Sequence, residues 1–158
     1  MKSLLVVGLG TPERHDDGVG LVVVEALRAV APAAVAIHLL PRQSLELLTL
    51  WEGRRQVWVV DAVRSGALPG SCHRLQPAAQ HWPAHWQGGS THGLGLAEGI
   101  ALAESLGMLP NRLVVYGIEG ADFGLGEGLS PEVAAAVPQV VSRLQAELEE
   151  VMTCTNQA

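Results

Sequence analysis

The sequence predicts an α/β protein, a three-layer α/β/α sandwich around a mostly parallel, twisted sheet. Three observations predict it. Short β-branched runs alternate with stretches of helical periodicity, the pattern of strand–helix–strand units. Runs such as Leu4-Leu5-Val6-Val7 and Val57-Trp58-Val59-Val60 are apolar on both sides of the pleat, which suits strands covered on both faces. The chain has 158 residues, 48% of them apolar, which fits one domain (1–158) with one core. No internal repeat and no linker interrupts it.

Residues 3–9 read as the first strand, closed by Gly8-Leu9-Gly10. A helix is predicted over Asp17 to Val30, because Val19, Val22, Val23, Ala26, Leu27 and Val30 share one face. Pro32 stops it. Val35 to Leu40 form a second strand, ended by Pro41. A short helix covers Ser44 to Trp51, with Ser44 as cap and Leu45, Leu48 and Trp51 inward. Gln56 to Val63 carry the third strand, which places Asp61 at its end. Ser71 to Leu75 suggest a short edge strand. Residues 76–91 read as a long polar and aromatic loop, the kind that often has a function. A helix follows from Ser90 to Leu106 and stops at Gly107. Arg112 to Glu119 make another strand, and a glycine-rich loop spans 120–128. Ser130-Pro131-Glu132 opens the last helix. Pro138 is expected to interrupt and restart it, since an interior proline costs about 3 kcal/mol. The tail beyond Met152 is expected to be loose.

Composition excludes several functions. The net charge is −6, and no stripe of Lys or Arg suggests a nucleic-acid partner. No stretch approaches the ~20 apolar residues of a membrane span. Met1-Lys2-Ser3 and the brief apolar run after it are too short for a signal peptide. Cys72 and Cys154 fit no zinc spacing and read as reduced thiols, which points to the cytoplasm. An acidic domain of this size fits a monomer.

The chemistry concentrates at the hinge after the first strand. Gly8-Leu9-Gly10 begins like a dinucleotide fingerprint, but Glu13 stands where its third glycine belongs. Asp16 and Asp17 would set negative charge where a pyrophosphate needs a free helix N-terminus. The glycines alone would serve a tight turn. Adjacent acids point in different directions, so one can cap the helix while the other faces the cleft. Asp61 follows a run of Val and Trp, where a carboxylate is costly to bury unless it is paired or bound to a cation. His92 opens a helix after Gly88-Gly89-Ser90-Thr91, where an imidazole can bind metal, shuttle protons or merely sit near a cap. Asp17, Asp61 and His92 come from three loops expected at one sheet edge, and form a three-ligand set with open positions. The residues alone do not rank Asp17 above Asp16. His81 and His85 flank Pro83, which argues against a helical metal clamp. His38 and His73 fall in strands and read as structural. Cys72 is a weak nucleophile candidate.

The chain resembles the hydrogenase maturation proteases, or hydrogenase maturation endopeptidases. The resemblance rests on Gly8-Leu9-Gly10, Asp16-Asp17-Gly18-Val19-Gly20, Val59-Val60-Asp61-Ala62-Val63 with Pro69-Gly70, Ser90-Thr91-His92-Gly93-Leu94, Gly117-Ile118-Glu119 and Leu129-Ser130-Pro131-Glu132-Val133. It implies an α/β/α fold and removal of a C-terminal extension from a nickel–iron hydrogenase large-subunit precursor after nickel insertion. It also implies Asp17, Asp61 and His92 as metal-contacting and catalytic residues, with Asp16 capping or supporting. The nickel would arrive on the substrate, with no tightly bound cofactor in the enzyme. Two departures stand out. The family usually has Gly-Asn where this chain has Gly10-Thr11, and a proline where it has Gly120, which is expected to loosen that loop. Three rivals remain: a stand-alone metal-dependent hydrolase, a non-enzymatic nickel chaperone or docking module, and a nucleotide-binding module.

Overall fold

The computed structural model describes residues 2–42, 45–78, 82–83, 86–88 and 95–156. Strands β1 (Leu4–Gly10), β2 (Val35–Pro41), β3 (Gln56–Arg64), β4 (Cys72–Leu75), β5 (Gln87–Gly88) and β6 (Arg112–Glu119) alternate with helices α1 (Val19–Arg28), α2 (Glu46–Trp51), α3 (Leu96–Ser105) and α4 (Pro131–Asn156). The sheet order is β2-β1-β3-β6-β4. The first four strands in that order are parallel neighbours; β4 pairs antiparallel at the edge and β5 antiparallel with the end of β3.

Alternation along the strands sorts side chains into two apolar layers. Val6, Trp58, Val60, Val114 and Tyr116 pack against α1 and α4. Leu5, Val7, Val57, Val59 and Val115 pack against α2 and α3. This is the α/β/α sandwich expected from the sequence. Because β1 lies between β2 and β3, successive crossovers leave it in opposite directions. The carboxyl ends of β1 and β3 therefore flank a topological switch point, where such sheets bind ligands.

Several element readings need correction. The residues before α1, His15–Gly18, form a 3-10 turn, so the α-helix starts at Val19. Val22 and Val30 are exposed while Val24 is fully buried, so the inner face is rotated from the one expected. In α2 Leu47 takes the inward place assigned to Leu45, which is exposed. Asp61 is not the end of β3, because the ladder to β6 continues to Val63↔Glu119. Pro138 does not break α4. It lies on the exposed face, where water can satisfy the carbonyl its missing N–H leaves free. The helix also runs past Met152 to Asn156. The loop at 76–91 contains β5. Helix α3 starts at Leu96, not near Ser90, because Gly95 before it is extended and serves as its N-cap. The Ser44 cap lies outside the described residues. Gly107 does end its helix, in the left-handed conformation (φ 67°).

Candidate active site

Close backbone approach builds the hinge. A Cβ on Gly20 would lie 2.3 Å from the Val60 carbonyl oxygen and 2.4 Å from that of Leu9. Only glycine lets the start of α1 settle this deeply between β1 and β3. Gly10, at φ 147°, would set a Cβ 2.1 Å from the Asp17 carbonyl oxygen. The glycines that begin like a nucleotide fingerprint thus serve helix–sheet contact. They carry the 3-10 turn with Asp17 onto the strand that holds Asp61, since Val60 immediately precedes it.

Asp17 and Asp61 are both almost fully buried. Asp17 Oδ2 accepts the Thr11 N–H at 3.0 Å. Burial pushes the Asp17 carboxyl above the usual carboxylate range; the hydrogen bonds from Thr11 and the charges of Arg14 and Arg64 only partly offset it. Thr11, one of the two family departures, therefore steadies Asp17. Asp61 Oδ1 accepts the Ala62 N–H at 2.8 Å. By strand alternation Asp61 shares a face with Val57 and Val59, the face covered by α3. His92, His81 and His85 lie outside the described residues. Among the described residues no group of three or more His, Cys, Asp or Glu side chains could hold a metal ion.

Two further carboxylates surround the site in a different way. Asp16, fully buried, accepts hydrogen bonds from Ala121 N–H (2.8 Å), Asp122 N–H (2.9 Å), Ser130 N–H (2.7 Å) and Ser130 Oγ (2.7 Å). Burial alone would raise its carboxyl, but these donors outweigh it and hold the pKa below the usual value. Asp16 therefore ties down the glycine-rich loop and makes no cap bond to α1. Backbone bonds reinforce the clasp, from His15 N–H to Gly126 O (2.9 Å) and from Asp16 N–H to Asp122 O (2.9 Å). The Arg14 guanidinium also donates twice to Phe123 O, at 2.9 and 3.1 Å. Gly120 does not loosen this loop. It admits the Phe123 ring, which a Cβ would meet at 2.5 Å, and its N–H donates to Val63 O at 3.1 Å.

Glu119 is the second anchor. It accepts from Ser65 N–H (2.8 Å), Ser65 Oγ (2.7 Å) and Gly66 N–H (3.0 Å), with His73 Nε2 at 3.3 Å. Burial opposes its ionisation, and these partners overcome that and lower its pKa. The role of Glu119 was missed in the sequence, although it is a lone acid closing an apolar strand, the same signal that marks Asp61. His73 is structural as expected, joined to Glu119 and tilted against Trp86 at 5.2 Å between ring centroids. Burial pushes the Cys72 thiol up, which makes it a poor nucleophile.

Fold and site define a doubly wound α/β protein whose ligand edge is lined by carboxylates instead of a phosphate cradle. Comparison with known proteins makes this specific. The sequence model of the hydrogenase maturation protease family matches residues 23–147. The chain is 29% identical over 151 residues to the hydrogenase 2 maturation protease of Escherichia coli (strain K12), covering 93% of this chain and 91% of that one. It is 28% identical over 152 residues to the hydrogenase expression/formation protein HupD of Rhodobacter capsulatus, covering 93% and 71%. The solved structure of the E. coli hydrogenase maturating endopeptidase HybD superposes with a TM-score of 0.75 at 27% identity, over 94% of this chain and 93% of that one. The fold also matches a [NiFe] hydrogenase maturation protease, HycI, from Thermococcus kodakarensis, with a TM-score of 0.72 at 22% identity over 94% and 93%. This chain belongs to the hydrogenase maturation protease family, a family of peptidases. Among the described residues no helix is long and apolar enough to cross a membrane.

Proposed function

We propose that this chain is the endopeptidase that removes the C-terminal extension of a nickel–iron hydrogenase large-subunit precursor once nickel has been inserted. The observation that carries the reading is the pair Asp17 and Asp61, two buried carboxylates that separate chain segments bring to the switch point. Carboxylates at such an edge suit a cation and a water nucleophile, and repel phosphate. Nickel held by the substrate is read by Asp17, Asp61 and His92. Support for including His92 comes from α3, which packs on the face that holds Asp61. Docking sets the scissile peptide beside the carboxylates. The raised pKa of Asp17 suits a group that takes a proton from attacking water and returns it to the leaving amine. The protein acts in the cytoplasm as a single-domain monomer and holds no resident metal.

Mass spectrometry of nickel-loaded and nickel-free precursor, each mixed with this protein, tests the reading. Loss of the extension from the loaded form alone is expected, and equal cleavage of both would remove nickel sensing. Complex formation without cleavage would favour a chaperone. Stoichiometric zinc in the purified protein would favour a stand-alone hydrolase.

A further inference from the structure

We propose that Arg64 is a substrate-binding residue of this site and grips a carboxylate of the peptide being cut. The inference rests on the endopeptidase reading above and adds to it a specificity-determining contact.

Three arginines stand near the hinge, and two are committed within the protein. Arg14 donates twice to Phe123 O. Arg42 pairs with Glu13 at 2.5 Å. Arg64 is exposed, and among the described residues its guanidinium has no hydrogen-bond acceptor. It is the last residue of β3, three positions after Asp61, and its charge reaches Asp17. Its position is fixed from below. The guanidinium lies over the Phe123 ring, 4.4 Å from the centroid. Phe123 is 6% exposed, and the Asp16 clasp and Arg14 hold its backbone. Stacking engages the flat face of a guanidinium and leaves its edge N–H groups to bind a ligand in plane.

A rigid shelf therefore presents a donor fork, unoccupied among the described residues, beside Asp17 and Asp61. A carboxylate is the partner whose geometry such a fork matches, through two parallel charge-assisted bonds. Arg64 also offsets the repulsion that Asp17 and Asp61 would exert on an acidic substrate residue.

The test is steady-state cleavage of nickel-loaded hydrogenase large-subunit precursor, measured on the alkaline plateau of the pH profile. Arg64→Gln is expected to raise KM about tenfold, far more than it lowers kcat, with an unchanged melting temperature and partial recovery in Arg64→Lys. Replacing the acidic precursor residues around the cleavage point one at a time by Asn or Gln should reveal one with the same KM penalty. That substitution should add nothing further to Arg64→Gln. An unchanged KM in Arg64→Gln overturns the proposal. So does a change confined to the pH profile of kcat, which would mean that Arg64 only tunes Asp17. Full additivity of every acidic substitution overturns it as well. Asp61→Asn, run alongside, reports on the endopeptidase reading separately: if turnover survives that change, the reading itself fails, whatever Arg64 does.

Discussion

Asp16 and Asp17 are neighbours in sequence, equally hidden from solvent, and opposite in electrostatics. Asp16 is surrounded by N–H and O–H donors from the 121–130 loop, and its charge is stabilised below the usual range. Asp17 is steadied by Thr11, and burial leaves its charge poorly compensated. Glu119 repeats the Asp16 pattern at the end of β6. The difference teaches that burial of a carboxylate does not by itself mark a reactive group. What separates the anchor from the poorly compensated acid is the number of donors the fold supplies.

Breaking that comparison should affect activity most and stability less. Asp61→Asn or Asp17→Asn should lower kcat for precursor cleavage by roughly 100-fold or more, the scale of a lost acid–base group, with the circular dichroism spectrum unchanged. Activity within a few-fold of the parent would remove that residue from the mechanism. Asp16→Asn should act on the fold instead, costing about 2–4 kcal/mol in urea denaturation, because its amide cannot accept from every donor now facing the carboxylate.

The pH dependence of stability sharpens the contrast. The lowered pKa values of Asp16 and Glu119 stabilise the fold at every pH above the unfolded values near ~4, and this is lost as pH falls through the folded ones. Denaturation midpoints of Asp16→Asn should therefore approach those of the parent in acid. For Asp17 the sign reverses. Between its unfolded and its raised folded value the native state binds the extra proton, so stability falls as pH rises through that window. Asp17→Asn should thus raise the melting temperature slightly at neutral pH, with the gain vanishing in acid. A drop at neutral pH would show that Asp17 is an anchor after all. Such a gain in stability at the expense of activity is common for active-site acids.

Much of this was legible from local pattern. The strands were, because runs such as Gln56 to Val63 are buried on both faces and read as continuous apolar segments. The hinge was, because glycines and acids there are too close together for a phosphate site. What stayed hidden depends on distant partners. Asp16 bonds residues more than 100 positions away, and Glu119 bonds Ser65 at a separation of 54, so neither role has a local signature. The Arg64–Phe123 stack is hidden for the same reason. The place of His92 relative to the two acids lies outside the described residues and rests on the sequence reading.

The clasp between residues 13–16 and 120–130 also orders events in time. The hinge leaves the ribosome well before the bonding partners of Asp16, which are translated more than 100 residues later. Until residue 130 has emerged and β6 has docked, Asp16 lacks its donors from that loop, Phe123 is not seated and the turn carrying Asp17 is held by local contacts, among them the Thr11 bond. Contacts this far apart in sequence form late, after the loop-closure entropy has been met. A nascent or truncated chain therefore carries Asp16 and Asp17 before it has the framework that sets them, and this edge of the sheet is assembled only once residue 130 has been made.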